Sequence, residues 1–113
     1  MTLPPGRRDT SRVVALDYEI AQEQASALGR AGRVLEAALA ALSDFETAPV
    51  PGRTRAELVQ AASDALWRFL VQRECCGLRD ARQVIRDYRV PADVQNRVGV
   101  FPGRRRTAPL SSL

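Results

Sequence analysis

Between Asp17 and Phe45 the chain carries no proline, and Ile20, Leu28, Ala31, Leu35, Ala38, Leu39 and Leu42 fall at helical spacing. Steps of three and four put these side chains on one face of a helix. Asp17 and Glu19 near its start complement the positive end of the helix dipole. Gly29 and Gly32 interrupt the run, each at a cost of about 1 kcal/mol relative to alanine. Two readings stay open there. The helix kinks, or a second helix approaches closely over the small-residue strip of Ala21, Ala25, Gly29 and Gly32.

Residues 46–53, with Ala48-Pro49-Val50-Pro51-Gly52, read as a loop. Thr54-Arg55-Ala56-Glu57 is a capping box that opens a second helix. Its stripe of Leu58, Val59, Ala62, Ala65, Leu66, Phe69 and Leu70 runs to about Cys75, where Gly77 suits the position after the end and Leu78 the hydrophobic contact beyond it. Asp80-Ala81-Arg82-Gln83 opens a short third helix with Ala81, Val84, Ile85 and Tyr88 inward. Val90-Pro91 stops it and starts a fourth, with Pro91 as its first residue, Val94 and Val98 inward, and Gly99 at its close. The first twelve residues, led by Pro4-Pro5-Gly6, and the last twelve, with Pro102-Gly103, read as unstructured.

The expected fold is therefore all-α. A long antiparallel two-helix hairpin is followed by two short helices. A disordered lead-in (1–15) precedes a single helical domain (16–101), and a disordered basic tail (102–113) follows it. The first helix, residues 17–45, spans about 43 Å at 1.5 Å per residue. A compact domain of this size is only about 30 Å across. The helix overhangs, its apolar stripe needs a cover, and a two-fold homodimer that completes a helical bundle is the simplest one. Ile20, Leu28 and Leu35 are the expected contacts on this helix. Trp67, with Val71 one turn on, lies off the main stripe of the second helix. Three readings fit that pair: cover by the short C-terminal helices, a dimer contact, or a ligand site.

Charge changes this picture little. The formal charge of +4 sits at the ends. Arg7, Arg8 and Arg12 outweigh Asp9, and Arg104, Arg105 and Arg106 stand without an acid. Between them, residues 13–99 hold eleven arginines against twelve acids. A basic tail does not make a nucleic-acid-binding domain. All 17 basic residues are arginine. A GC-rich genome accounts for this, as would arginine-specific phosphate recognition. No apolar run is long enough to span a membrane, and no signal peptide is legible. The adjacent Cys75 and Cys76 read as two reduced thiols in a cytoplasmic protein.

The chain has no histidine, hence neither the commonest general base nor the commonest zinc ligand. No phosphate-cradling glycine loop is present, and Ser63 lacks a nucleophile-elbow context. No catalytic residue, metal site or cofactor is expected, and the chain is not expected to be an enzyme. One charged cluster stands out. In an antiparallel hairpin, Tyr18, Glu19 and Glu23 meet Arg73 and Glu74. Arg73 falls on the apolar stripe of its helix, where an unpaired charge is costly. A pair between Arg73 and Glu19 or Glu23 is expected, with a polar ligand pocket as the alternative.

The runs Leu16-Asp17-Tyr18-Glu19-Ile20-Ala21-Gln22-Glu23-Gln24 and Gln72-Arg73-Glu74-Cys75-Cys76-Gly77-Leu78-Arg79-Asp80, with Tyr88-Arg89-Val90-Pro91, resemble a family of short bacterial proteins, an alphaproteobacterial domain of unknown function. The resemblance spans residues 16–99. It implies the same helical fold and carries no assigned activity. The reading favoured by the residues is a non-enzymatic, homodimeric protein-interaction module. The alternative is a small DNA-associated protein that uses the helices of Asp80–Val98, loosely spaced as a helix-turn-helix, and the Arg104–Arg106 tail.

Overall fold

A computed structural model describes residues 5–99, with side chains from residue 11 onward. Four helices follow in order: α1 (Pro5–Thr47), α2 (Arg55–Cys75), α3 (Ala81–Tyr88) and α4 (Ala92–Val98). The all-α expectation holds, and the described residues contain no strand.

Helix α1 corrects the expected start. It begins at Pro5, so residues 5–15, read as a disordered lead-in, continue the helix. Between Arg7 and Leu16 no glycine or proline breaks the run. Proline at the first helical position costs nothing, because its missing N–H has no partner there anyway. The helix then passes through Gly29 and Gly32 without interruption. Gly32 is a point of close approach. A Cβ there meets the Phe69 ring and the Tyr88 hydroxyl, each at 3.3 Å. At Gly29 a Cβ meets only the Arg33 guanidinium, at 3.4 Å.

Both ends of α2 and the start of α3 are formed by the residues the sequence marks. Thr54 Oγ1 accepts from the Glu57 amide at 3.2 Å, and Glu57 Oε1 accepts from the Thr54 amide at 3.0 Å. At the far end Gly77 takes φ +84. The Leu78 amide donates to the Arg73 carbonyl at 2.8 Å and the Gly77 amide to that of Glu74 at 2.9 Å. This pattern satisfies the orphan carbonyls of the last turn. Asp80 caps α3 by accepting from the Gln83 amide at 3.4 Å. Arg89 closes α3 with φ 52 and ψ 51, a left-handed conformation usually left to glycine. Pro91 is the residue before α4 rather than its first.

Helices α1 and α2 form the antiparallel hairpin. At one end the Arg55 guanidinium reaches Glu46 at 2.7 Å. At the other, Cys76 Sγ lies 3.9 Å from the Gln24 carbonyl oxygen. Leu35 and Leu42 of α1 and Leu58, Val59, Ala62, Ala65, Leu66 and Phe69 of α2 make the core, closed by Val84, Val90 and Val94. Phe69 and Tyr88 meet edge-on with centroids 5.4 Å apart. Ser63, buried between α2 and α4, donates to the Val59 carbonyl at 2.8 Å and lies 3.4 Å from that of Val94. Helix α4 runs alongside α2, with Asp93 on Arg55 at 2.6 Å and Arg97 on Gln60 at 2.9 Å.

Helix α2 ends level with Gln24, so α1 extends past the body from Glu23 back to Pro5. That is about 28 Å of helix at 1.5 Å per residue. The molecule measures 73 × 38 × 22 Å with a radius of gyration of 20.3 Å. A compact chain of this length has a radius of about 13 Å. The overhang inferred from the expected 17–45 helix is thus real, and it is longer because the helix starts earlier.

Candidate functional site

Two surfaces carry side chains that the fold does not use. The first is the protruding half of α1. At 100° per residue, Val13, Asp17, Ile20 and Ala21 continue the face that carries Leu28 and Leu35 in the body. Leu28 is half-buried against the core, and Leu35 is fully buried. Beyond the end of α2 the same face is bare: Val13 is 54% and Ile20 48% exposed, and Leu16 and Val14 flank them, also exposed. Residues 13–29 carry Asp17, Glu19 and Glu23 and no basic residue.

The second surface is a cleft of about 240 Å³ beside the last turns of α2. Trp67, Leu70, Val71 and Leu78 form its apolar wall, and Arg73, Glu74 and Arg79 its charged rim. Trp67 is 53% exposed. The short C-terminal helices therefore do not fold over Trp67 and Val71. Helix α4 packs against the N-terminal half of α2 instead, at Arg55, Gln60 and Ser63.

The expected charged cluster does not assemble. Glu23 pairs with Arg30 of its own helix at 3.2 Å. Tyr18 accepts from Gln22 at 3.4 Å, again within α1. Arg73 instead lies over the Phe69 ring, 5.8 Å from its centroid, and its Nη2 is 3.4 Å from the Asp80 carbonyl oxygen. The reason is helical phase. Glu19 and Glu23 lie about 160° and 120° from the direction of Leu35, so both turn away from α2. Arg73 does sit on the apolar stripe, as its position demands, and the aromatic face takes the place of a carboxylate. Its Nε is buried without a hydrogen-bond partner. Of the expected dimer contacts, Leu35 is corrected: it belongs to the protomer's own core, because α2 packs directly over it. Ile20, Trp67 and Val71 remain exposed.

One constellation escaped the sequence reading. Arg55 donates from Nε to Glu46 and from Nη1 to Asp93, tying the end of α1, the start of α2 and α4 together. Its hydrogen bond to Asp93, then that to Glu46, raises the guanidinium pKa. The bond from Arg55 lowers the Asp93 carboxyl below its ordinary value. Arg55 thus bridges two carboxylates, and the group acts as a staple between α1, α2 and α4. Tyr88 titrates above its ordinary value because it is partly buried. Cys75 is exposed and Cys76 half-buried, and both are free thiols.

Arg97, on the last helix of the Asp80–Val98 segment considered for DNA association, is engaged with Gln60 of its own chain. Arg104–Arg106 lie outside the described residues. No helix among the described residues is long and apolar enough to cross a membrane. A family model described as a family of unknown function, DUF6665, matches residues 6–106. No curated protein and no solved structure matches the chain.

Proposed function

The chain belongs to this family of unknown function, and from that premise we propose that it works as a non-enzymatic, homodimeric protein-interaction module. The observation that carries this reading is the bare half of α1. Val13, Leu16 and Ile20 stand more or less half exposed on a stretch of helix with no neighbour among the described residues. Burying an aliphatic side chain of this size stabilises by about 1.5–3 kcal/mol. Isolated helical segments shorter than about 12–15 residues are marginal in water, and longer ones still lean on a packed face. A partner that covers the stripe both orders the segment and removes apolar surface from water. A second copy is always present and satisfies a closed two-fold contact. The engagement of Arg97 within the protomer weighs against the DNA-associated alternative through Asp80–Val98.

Light scattering on the eluting peak tests the proposal. The chain should elute at twice its single-chain mass of 12.4 kDa. Ile20→Glu should move the peak to monomer mass without changing the core. A wild-type chain that stays at the single-chain mass throughout the micromolar range contradicts the homodimer.

A further inference from the structure

On the footing that the chain dimerises, we infer that the protruding half of α1 from one copy seats in the Trp67 cleft of the other, and reciprocally. Three observations select this arrangement over a simple pairing of the two protrusions.

The first is area. A helix about 10 Å in diameter and about 28 Å long has a lateral surface of roughly 880 Å². Covering half of it buries about 440 Å² on each protrusion. Protrusion against protrusion alone therefore buries roughly 880 Å² in total, short of the roughly 1,200–2,000 Å² of stable interfaces. If each protrusion instead lies along the body of the other copy, the matching body surface is buried as well. Each protomer then contributes roughly 880 Å², which reaches the standard size.

The second is shape and chemistry. Val13, Leu16 and Ile20 fall at steps of three and four and form an apolar ridge on α1. Asp17 flanks it on one side and Glu23 on the other. The cleft presents the complement, with Trp67, Val71 and Leu78 lining it together with Arg73 and Arg79. The ridge comes from a stretch with three acids and no base, and the rim carries two arginines to one glutamate. Opposite charges that face each other across an interface fix its register. Exposed aromatic and arginine side chains are the usual anchors of such contacts.

The third is position. The cleft lies beside the last turns of α2, at the level of Gln24 where the protrusion leaves the body. A two-fold axis that sets the two α1 helices antiparallel carries each protrusion across the other copy's cleft. The arrangement closes on itself and forms no filament.

Charge exchange on the full chain tests this. Arg79→Glu and the double variant Asp17→Arg/Glu23→Arg should each weaken homodimerisation roughly tenfold or more. An equimolar mixture of the two variants should recover a heterodimer, because each cleft then faces a protrusion of opposite charge. Failure of the mixture to associate overturns the seating, as does a homodimer indifferent to both variants. A wild-type chain that is monomeric in the same assay ends the dimer itself, which separates the two failures.

A second readout needs no substitution. Trp67 is the sole tryptophan, so its emission should shift to the blue as concentration drives dimerisation. Dimerisation with unchanged emission removes the cleft from the interface. Emission that is blue at every concentration, and lost when residues 100–113 are deleted, assigns the cleft to the chain's own C-terminal residues and likewise overturns the proposal.

Discussion

Gly29 and Gly32 stand less than one helical turn apart on α1, yet their surroundings assign them opposite roles. A methyl group at Gly32 presses on Phe69 and Tyr88, the aromatic pair beneath it. A methyl at Gly29 meets only the flexible end of Arg33. Alanine gains about 1 kcal/mol over glycine inside a helix, whereas overpacking costs about 1–3 kcal/mol. Gly29→Ala should therefore raise the denaturation midpoint by the equivalent of about 1 kcal/mol. Gly32→Ala should be neutral or lose up to about 2 kcal/mol, the overpacking cost less the helix gain. A chemical melt of both variants checks the contrast. Arg89 offers a converse case. Its left-handed backbone suits glycine, and a non-glycine residue there stores about 1 kcal/mol or more. Arg89→Gly should raise the melting temperature by a few degrees, as about 1 kcal/mol does in a domain of this size. An unchanged or lower value would show that the arginine side chain contributes more than the strain removes.

At the scale of elements, α2 and α3 were legible because their ends are written in local chemistry. Thr54 and Glu57 satisfy each other's amides within one turn, and Gly77 has no competitor for its left-handed backbone. The apolar stripe of α2 marked its buried face correctly from Leu58 to Phe69. The start of α1 was not legible, since the proline-glycine run at its head reads as a breaker and the helix nonetheless begins on Pro5. The partner of Arg73 is not legible in the sequence, because end-to-end proximity in a hairpin says nothing about helical phase. The Arg55 staple was invisible, since Asp93 lies 38 residues away along the chain. That staple makes a pH prediction. The folded-state pKa of Asp93 lies below its ordinary value, which is about 3.9 in unfolded chains. Its contribution is fully present above that unfolded value and is lost as pH falls through the folded one. Thermal melts should show a loss of stability below about pH 4 that is smaller in Asp93→Asn. Equal acid sensitivity in both chains would remove the staple from the account.

The whole molecule is a short packed hairpin with a rod projecting from one end. The hairpin closes its own core with residues from all four helices. The rod closes nothing, and its apolar ridge, acidic flanks and length are features that one chain leaves unused. A second copy gives them a use, and the same step covers Trp67 and the arginines beside it. Amide exchange across residues 11–23, followed over a dilution series, tests this most directly. The account predicts slow exchange at high concentration that turns fast in step with dissociation, while α2 stays protected throughout. Exchange that is fast at every concentration, or equally slow in the dilute monomer, contradicts it.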